Sequence, residues 1–175
     1  MSKLNLAGLI RESIVDGPGL RFVVFAQGCP HHCPECHNPQ TWPFAGGFET
    51  SPTKIIAEML KNPLLCGLTI SGGEPFCQSS AMATLAQTAR SKGYDIITYT
   101  GFTFEELLKK SLADASILLF LQQIDILIDG PFLKDQQNYE LLFRGSANQR
   151  IIDVSASLAS NTVVLAHSFV NFTPS

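Results

Sequence analysis

The stretch "LRFVVFAQGCPHHCPECHNPQTW", Leu20 to Trp42, sets the reading of the whole chain. Its opening run, Leu20 to Gly28, is β-branched and aromatic, as in a strand buried on both faces. It runs directly into a loop with three cysteines, Cys29, Cys33 and Cys36, in the pattern C-x3-C-x2-C. A buried strand that ends in reactive side chains suits an α/β sheet, where chemistry collects at the carboxyl ends of parallel strands.

The sequence downstream repeats that grammar. "TSPTKIIAEMLKNP" predicts a helix capped by Ser51, with Pro52 at its first position and a stop at Asn62-Pro63. Ile55, Ile56, Met59 and Leu60 form its buried stripe. "GLTISGGEP" gives a strand, Gly67 to Ile70, and then a glycine-rich loop. A helix over Ser80 to Lys92 follows, with Met82, Leu85, Ala86 and Ala89 on one face. "YDIITYTG" is a third strand, leading into "TFEELLKK", where Thr103 and Glu106 make a capping box. "IDILIDG" supplies a fourth strand, Ile124 to Asp129. In the tail, "RIIDV" and "TVVLA" read as short strands and "SASLAS" as a helical turn. Strands that are apolar throughout and alternate with helices predict an α/β fold, a parallel sheet covered by helices. No linker or repeat divides the chain, so one domain is expected over residues 1–175. The loops at Cys29, at Gly72-Gly73, at Thr100-Gly101 and at Asp129 should then converge on one face.

Bulk properties narrow the function. A length of 175 residues with 45% hydrophobic content supports a single core. With 12 basic against 15 acidic residues and no basic run, a nucleic-acid partner is not expected. No apolar run is long enough to span a bilayer, and the apolar stretch at the start is too short for a signal peptide. The expected setting is cytoplasmic, without a membrane partner. There a tight cysteine cluster favours metal binding or catalysis, and a total of five cysteines suits disulfides poorly.

Thiolates bind zinc or iron–sulfur clusters. A closed zinc site needs a fourth ligand, for which His31, His32, His37, Cys66 and Cys77 are candidates. The histidines crowd the cysteines, and neighbours chelate one tetrahedral ion poorly. A 4Fe–4S cluster held by three thiolates instead leaves one iron open to a small molecule. The spacing favours the cluster and leaves zinc open. Three packed thiols without metal are the least favoured reading, because a Pro- and His-rich loop offers them no apolar core. In "SGGEP", Ser71 to Pro75, Gly72 and Gly73 let the main chain approach a ligand, and Glu74 adds an acceptor for a cation such as an ammonium. Alone, the same residues make a tight strand-to-helix turn, and no phosphate loop.

Together, the C-x3-C-x2-C loop after one strand and the GGE-P loop after the next resemble the radical S-adenosylmethionine (SAM) superfamily. "SIVDGPGLRFVVFAQGC" and "CHNPQTW" look like the glycyl-radical-enzyme activases. "YTGFTFEEL", "IDILIDGPFLKD" and "RGSANQRIID" look like the anaerobic ribonucleoside-triphosphate reductase activating proteins, and the likeness runs from Ser13 to Asp153. The resemblance implies an open, incomplete TIM-like (β/α) barrel. It implies a 4Fe–4S cluster on Cys29, Cys33 and Cys36, with SAM on the open iron. Gly72, Gly73 and Glu74 would hold the methionine amino group. Glu35 and His37, either side of Cys36, would lie by the adenine. Thr98 to Gly101, with Thr98 and Thr100 foremost, and Asp129 would lie at the ribose or methionine end, although Asp129 is also a plain turn former. Asp16, Gly17 and Gly19 match too, but a turn explains them equally well. The cluster's electron would cleave SAM to a 5′-deoxyadenosyl radical, so no catalytic acid or base is required. The implied partners are a glycyl-radical enzyme, the anaerobic ribonucleotide reductase, and a flavodoxin or ferredoxin as electron donor. Arg144 would grip the partner or an internal carboxylate. Cys66 is read as a buried small residue and Cys77 as structural. Alternatives are a pyruvate formate-lyase type activase, a radical SAM enzyme for a small substrate such as a deazapurine synthase, and a zinc-binding module. The last twenty or so residues carry no assigned role.

Overall fold

Strands that are apolar on both faces need cover on both, and the computed structural model, which describes residues 2–170, shows where it comes from. The described residues form seven strands: β1 Leu4–Ser13, β2 Arg21–Ala26, β3 Phe48–Thr50, β4 Gly67–Gly72, β5 Asp95–Tyr99, β6 Ile126–Asp129 and β7 Arg150–Asp153. They form one sheet in the order β3-β1-β2-β4-β5-β6-β7. The central four, β2, β4, β5 and β6, are parallel, with Val23 opposite Thr69, Leu68 opposite Ile96 and Thr98 opposite Leu127. The three flanking strands are antiparallel to their neighbours. The expected parallel sheet is thus present in the four central strands, within a sheet that is mixed as a whole. The reason lies in the connections: Ile14–Leu20 is too short for the crossover that parallel pairing needs, so β1 and β2 form a hairpin.

Six α-helices lie among the described residues: α1 Pro52–Met59, α2 Ser79–Ser91, α3 Phe104–Ser111, α4 Ala115–Leu121, α5 Val154–Ser160 and the short α6 His167–Val170. The Ser51 hydroxyl caps α1 by accepting from the Lys54 N–H, and Thr103 with Glu106 makes the predicted capping box on α3. Because side chains alternate along a strand, each strand feeds two cores. Phe22, Val24, Leu68, Ile70, Ile96 and Leu127 pack toward the helices, against Met59, Met82, Leu85 and Phe120. Ile97, Ile128 and Ile151 face the other way, with Tyr99 and Phe143 beside them. Three expectations fail locally. Leu60 is 53% exposed because α1 stops at Met59 and Leu60 only caps it. "TVVLA" forms no strand; Leu165 alone bridges to Ile152, while Thr162 and Val164 are taken up by bonds to Ser157. Cys66 is exposed rather than buried, at the amino end of β4. Residues 171–175 of the unassigned tail lie outside the described residues.

Candidate cofactor cleft

The cysteine loop leaves β2 through a clamp. Gly28 N–H donates to the Thr41 carbonyl at 2.7 Å and Cys29 N–H to that of Trp42 at 3.0 Å, while the Gln27 amide reaches the Pro43 carbonyl at 2.6 Å. Residues 29–42 therefore form a closed excursion from the sheet. Cys29 is buried, and Cys33 and Cys36 are half-buried. All three line a cleft of about 600 Å³ whose opposite walls include Gly72, Gly73, Thr100 and Gly101. The loops after β2, β4 and β5 thus meet, as the order of strands and loops predicts. The loop after β6 joins them through Gly130 and Phe132.

Burial pushes the Cys29 and Cys33 thiols up from their ordinary value, and the nearby Glu74 adds to the rise. Free, both stay protonated at neutral pH, so loading a metal must release protons. Among the described residues, no three His, Cys, Asp or Glu side chains converge as ligands of a single ion. The three histidines point in different directions. His31 Nε2 lies 2.6 Å from Glu74 Oε2, His32 stacks on Trp42 with ring centroids 4.8 Å apart, and His37 leans on Phe132 at 5.0 Å. Cys66 sits at the far end of β4, and Cys77 is exposed and not part of the cleft wall. Of the five cysteines, Cys29, Cys33 and Cys36 are the ones that line the cleft.

The glycine turn is packed against the cysteine loop. Gly73 N–H donates to the Ala26 carbonyl and Glu74 N–H to that of Gly28, both at 2.8 Å. A Cβ on Gly73 would collide with the Gly28 carbonyl oxygen. The close main-chain approach that glycine permits here is thus to the neighbouring loop, although Gly72 and Gly73 also line the cleft. The Glu74 carboxylate is fully buried. It accepts from the Thr100 hydroxyl at 2.9 and 3.0 Å, from Gly101 N–H at 2.9 Å and from Phe76 N–H at 3.0 Å.

The other expected residues divide. Thr100 and His37 line the cleft. Thr98 shares the helix-facing side of β5 with Ile96, and its buried hydroxyl has no partner. Asp129 is buried, where it accepts from Phe104 N–H at 2.8 Å and from Arg150 Nε at 3.0 Å. Glu35 points outward to Lys134, 2.6 Å away. Sequence reasoning missed Phe132 and, within Thr98 to Gly101, did not single out Tyr99. Tyr99 belongs to the cleft face because it is in phase with Ile97, and its hydroxyl donates to the Phe143 carbonyl at 2.6 Å. Arg144 also lines the cleft; it donates to the Gln149 carbonyl at 2.9 Å and makes no ion pair among the described residues.

Comparison with known proteins gives the family. Residues 15–152 match the family described as 4Fe-4S single cluster domain. The anaerobic ribonucleoside-triphosphate reductase-activating protein of Vibrio cholerae is 37% identical over 146 residues, 79% of this chain and 90% of that protein. The chain belongs to the family of these activating proteins. Members from Escherichia coli and from Enterobacteria phage T4 are each 34% identical, over 78% of this chain and 90% and 86% of their own lengths. The 4Fe-4S match starts in the turn before β2 and ends within β7, so it contains every wall of the cleft. Among solved structures, QueE from Escherichia coli aligns with 59% of this chain and 55% of its own, at 17% identity and a TM-score of 0.48. No helix of the described residues is long and apolar enough to cross a membrane.

Proposed function

We propose that the chain is a radical SAM activase that installs a glycyl radical on anaerobic ribonucleoside-triphosphate reductase. One observation carries the proposal: three cysteines and two loop glycines line a single cleft at the carboxyl ends of adjacent parallel strands. Cys29, Cys33 and Cys36 would hold a 4Fe–4S cluster, and Gly72, Gly73 and Thr100 would frame the methionine end of SAM. Held there, a reduced cluster would supply the electron for reductive cleavage of SAM, the chemistry that would allow hydrogen-atom abstraction from a glycine Cα of the partner.

The chain's own work is binding and orientation. His37 and Phe132 offer an aromatic flank for the adenine. Glu74 acts from behind the turn, by fixing Thr100 and Gly101, and Thr98 and Asp129 stay behind the wall. We read the sheet as an open, incomplete TIM-like barrel. Helices cover one face of the sheet, and Ile97 of β5, Ile128 of β6 and Ile151 of β7 cluster on the other, which supports that reading. A flavodoxin or ferredoxin would deliver the electron in a cytoplasmic setting, which suits five free cysteines. The relatives' names favour the reductase over a pyruvate formate-lyase as partner.

The test is anaerobic SAM cleavage. Protein reconstituted with iron and sulfide, reduced with dithionite and given SAM should form 5′-deoxyadenosine. Cys36→Ala should form none; retained cleavage would refute the cluster assignment.

A further inference from the structure

His31 sits between two of the thiols, and the reading above gives it no task. We infer that His31 is a positioning residue that locks the cysteine loop to the glycine turn and to the loop after β5, so that thiols and cleft wall move as one body. The inference rests on the cofactor reading of the cleft.

The ring is held from three sides. Its Nε2 lies 2.6 Å from Glu74 Oε2. Phe102 meets it edge-on, with centroids 4.4 Å apart and planes at 72°. On the third side is Gly101, where a Cβ would stand 2.5 Å from His31 Cδ2 and 2.7 Å from Nε2. Any larger residue at position 101 therefore evicts the ring. The group that receives His31 is itself immobile, because Thr100, Gly101 and Phe76 all donate to the Glu74 carboxylate. The contact spans 43 residues of sequence. Beyond the clamp at Cys29, the backbone bonds of residues 30–36 include only the local one from Cys36 N–H to Cys33. His31 is thus the inward anchor of a loop that carries two further ligands.

The experiment uses full-length wild type, His31→Ala, His31→Gln, Gly101→Ala and the Ala–Ala double variant. Each is reconstituted with iron and sulfide, and iron release to EDTA is timed without SAM. SAM affinity is then read from the change it causes in the electron paramagnetic resonance (EPR) spectrum of the reduced cluster. Groups that orient metal ligands typically matter about 10–100-fold, so His31→Ala should release iron at least about 10-fold faster and bind SAM correspondingly more weakly. His31→Gln places an amide N–H near Nε2 and should restore most of both. Gly101→Ala should copy His31→Ala with no substitution inside the cysteine loop. In the double variant it should add nothing, since the ring it evicts is gone. Wild-type release rates in both single variants, or additive losses in the double, overturn the lock. Should even wild type assemble no cluster, the cofactor reading fails by itself. Hydrogen exchange of the Cys36 amide in metal-free protein then decides the lock: faster exchange in both single variants supports it, and unchanged exchange overturns it.

Discussion

Asp129→Asn separates a ligand-binding residue from a structural one. The resemblance puts Asp129 at the ribose or methionine end of SAM, whereas the structure holds its carboxylate, 1% exposed, between Arg150 and the amino end of α3. Phe104 N–H and Arg150 Nε reach it at 2.8 and 3.0 Å, and the Arg150 Nη2 donates as well. Asparagine keeps one acceptor oxygen, loses the charge and turns an N–H₂ group toward donors. A hydrogen bond to a charged group contributes about 1.5–3 kcal/mol net, so losing one and weakening another costs about 3 kcal/mol. The larger penalty of a stranded guanidinium, about 3–5 kcal/mol, does not apply in full. Glu105 keeps Arg150 paired at 2.7 and 3.1 Å. At about 2–4 °C per kcal/mol for a chain of this size, Tm should fall by about 6–12 °C. Thermal unfolding followed by circular dichroism reads that shift. SAM affinity, measured at a temperature where both proteins are folded, should not change. An unaltered Tm with lost SAM binding would refute the placement of Asp129 behind the wall.

Tyr99→Phe should cost about 1 kcal/mol in urea unfolding, because burial pushes the phenol up and keeps its hydroxyl a permanent donor to the Phe143 carbonyl. An unchanged midpoint would remove that tie. Gly73→Val should destabilise by about 1–3 kcal/mol through overpacking against Gly28, and should lower the iron retained after reconstitution. Full iron content would show that the two loops need not touch. Arg150 holds the Glu105 carboxyl below its ordinary value. A lowered folded-state value means stability that is present above the ordinary carboxylate range and lost as pH falls through the lowered one. At 60% exposure the pair contributes under about 1 kcal/mol. Glu105→Gln should flatten the acid limb of the stability curve slightly, and an identical limb would dismiss the pair.

The convergence of loops was legible because apolar runs mark buried strands and their ends mark where loops begin. Cys29, Gly72 and Thr100 needed no more than that. The antiparallel strands were harder. β1 alternates Leu4 and Leu6 inward, but Gly8 interrupts the pattern and Ile10 to Glu12 are exposed. At Thr98 the difficulty was phase: only the face taken by Ile97 tells which neighbour sees the cleft. The inward turn of Glu74, the anchoring of His31 and the need for glycine at Gly101 depend on one another across three loops. Nothing local to any of them carries that information.

The central claim, glycyl-radical activation, is tested most directly by EPR. Reconstituted protein, reduced anaerobically, is mixed with SAM and purified anaerobic ribonucleotide reductase. A glycyl-radical doublet on the reductase, formed together with 5′-deoxyadenosine, is the predicted result. SAM cleavage with no radical on the reductase would contradict the assigned partner, and the absence of both would contradict the radical SAM reading itself.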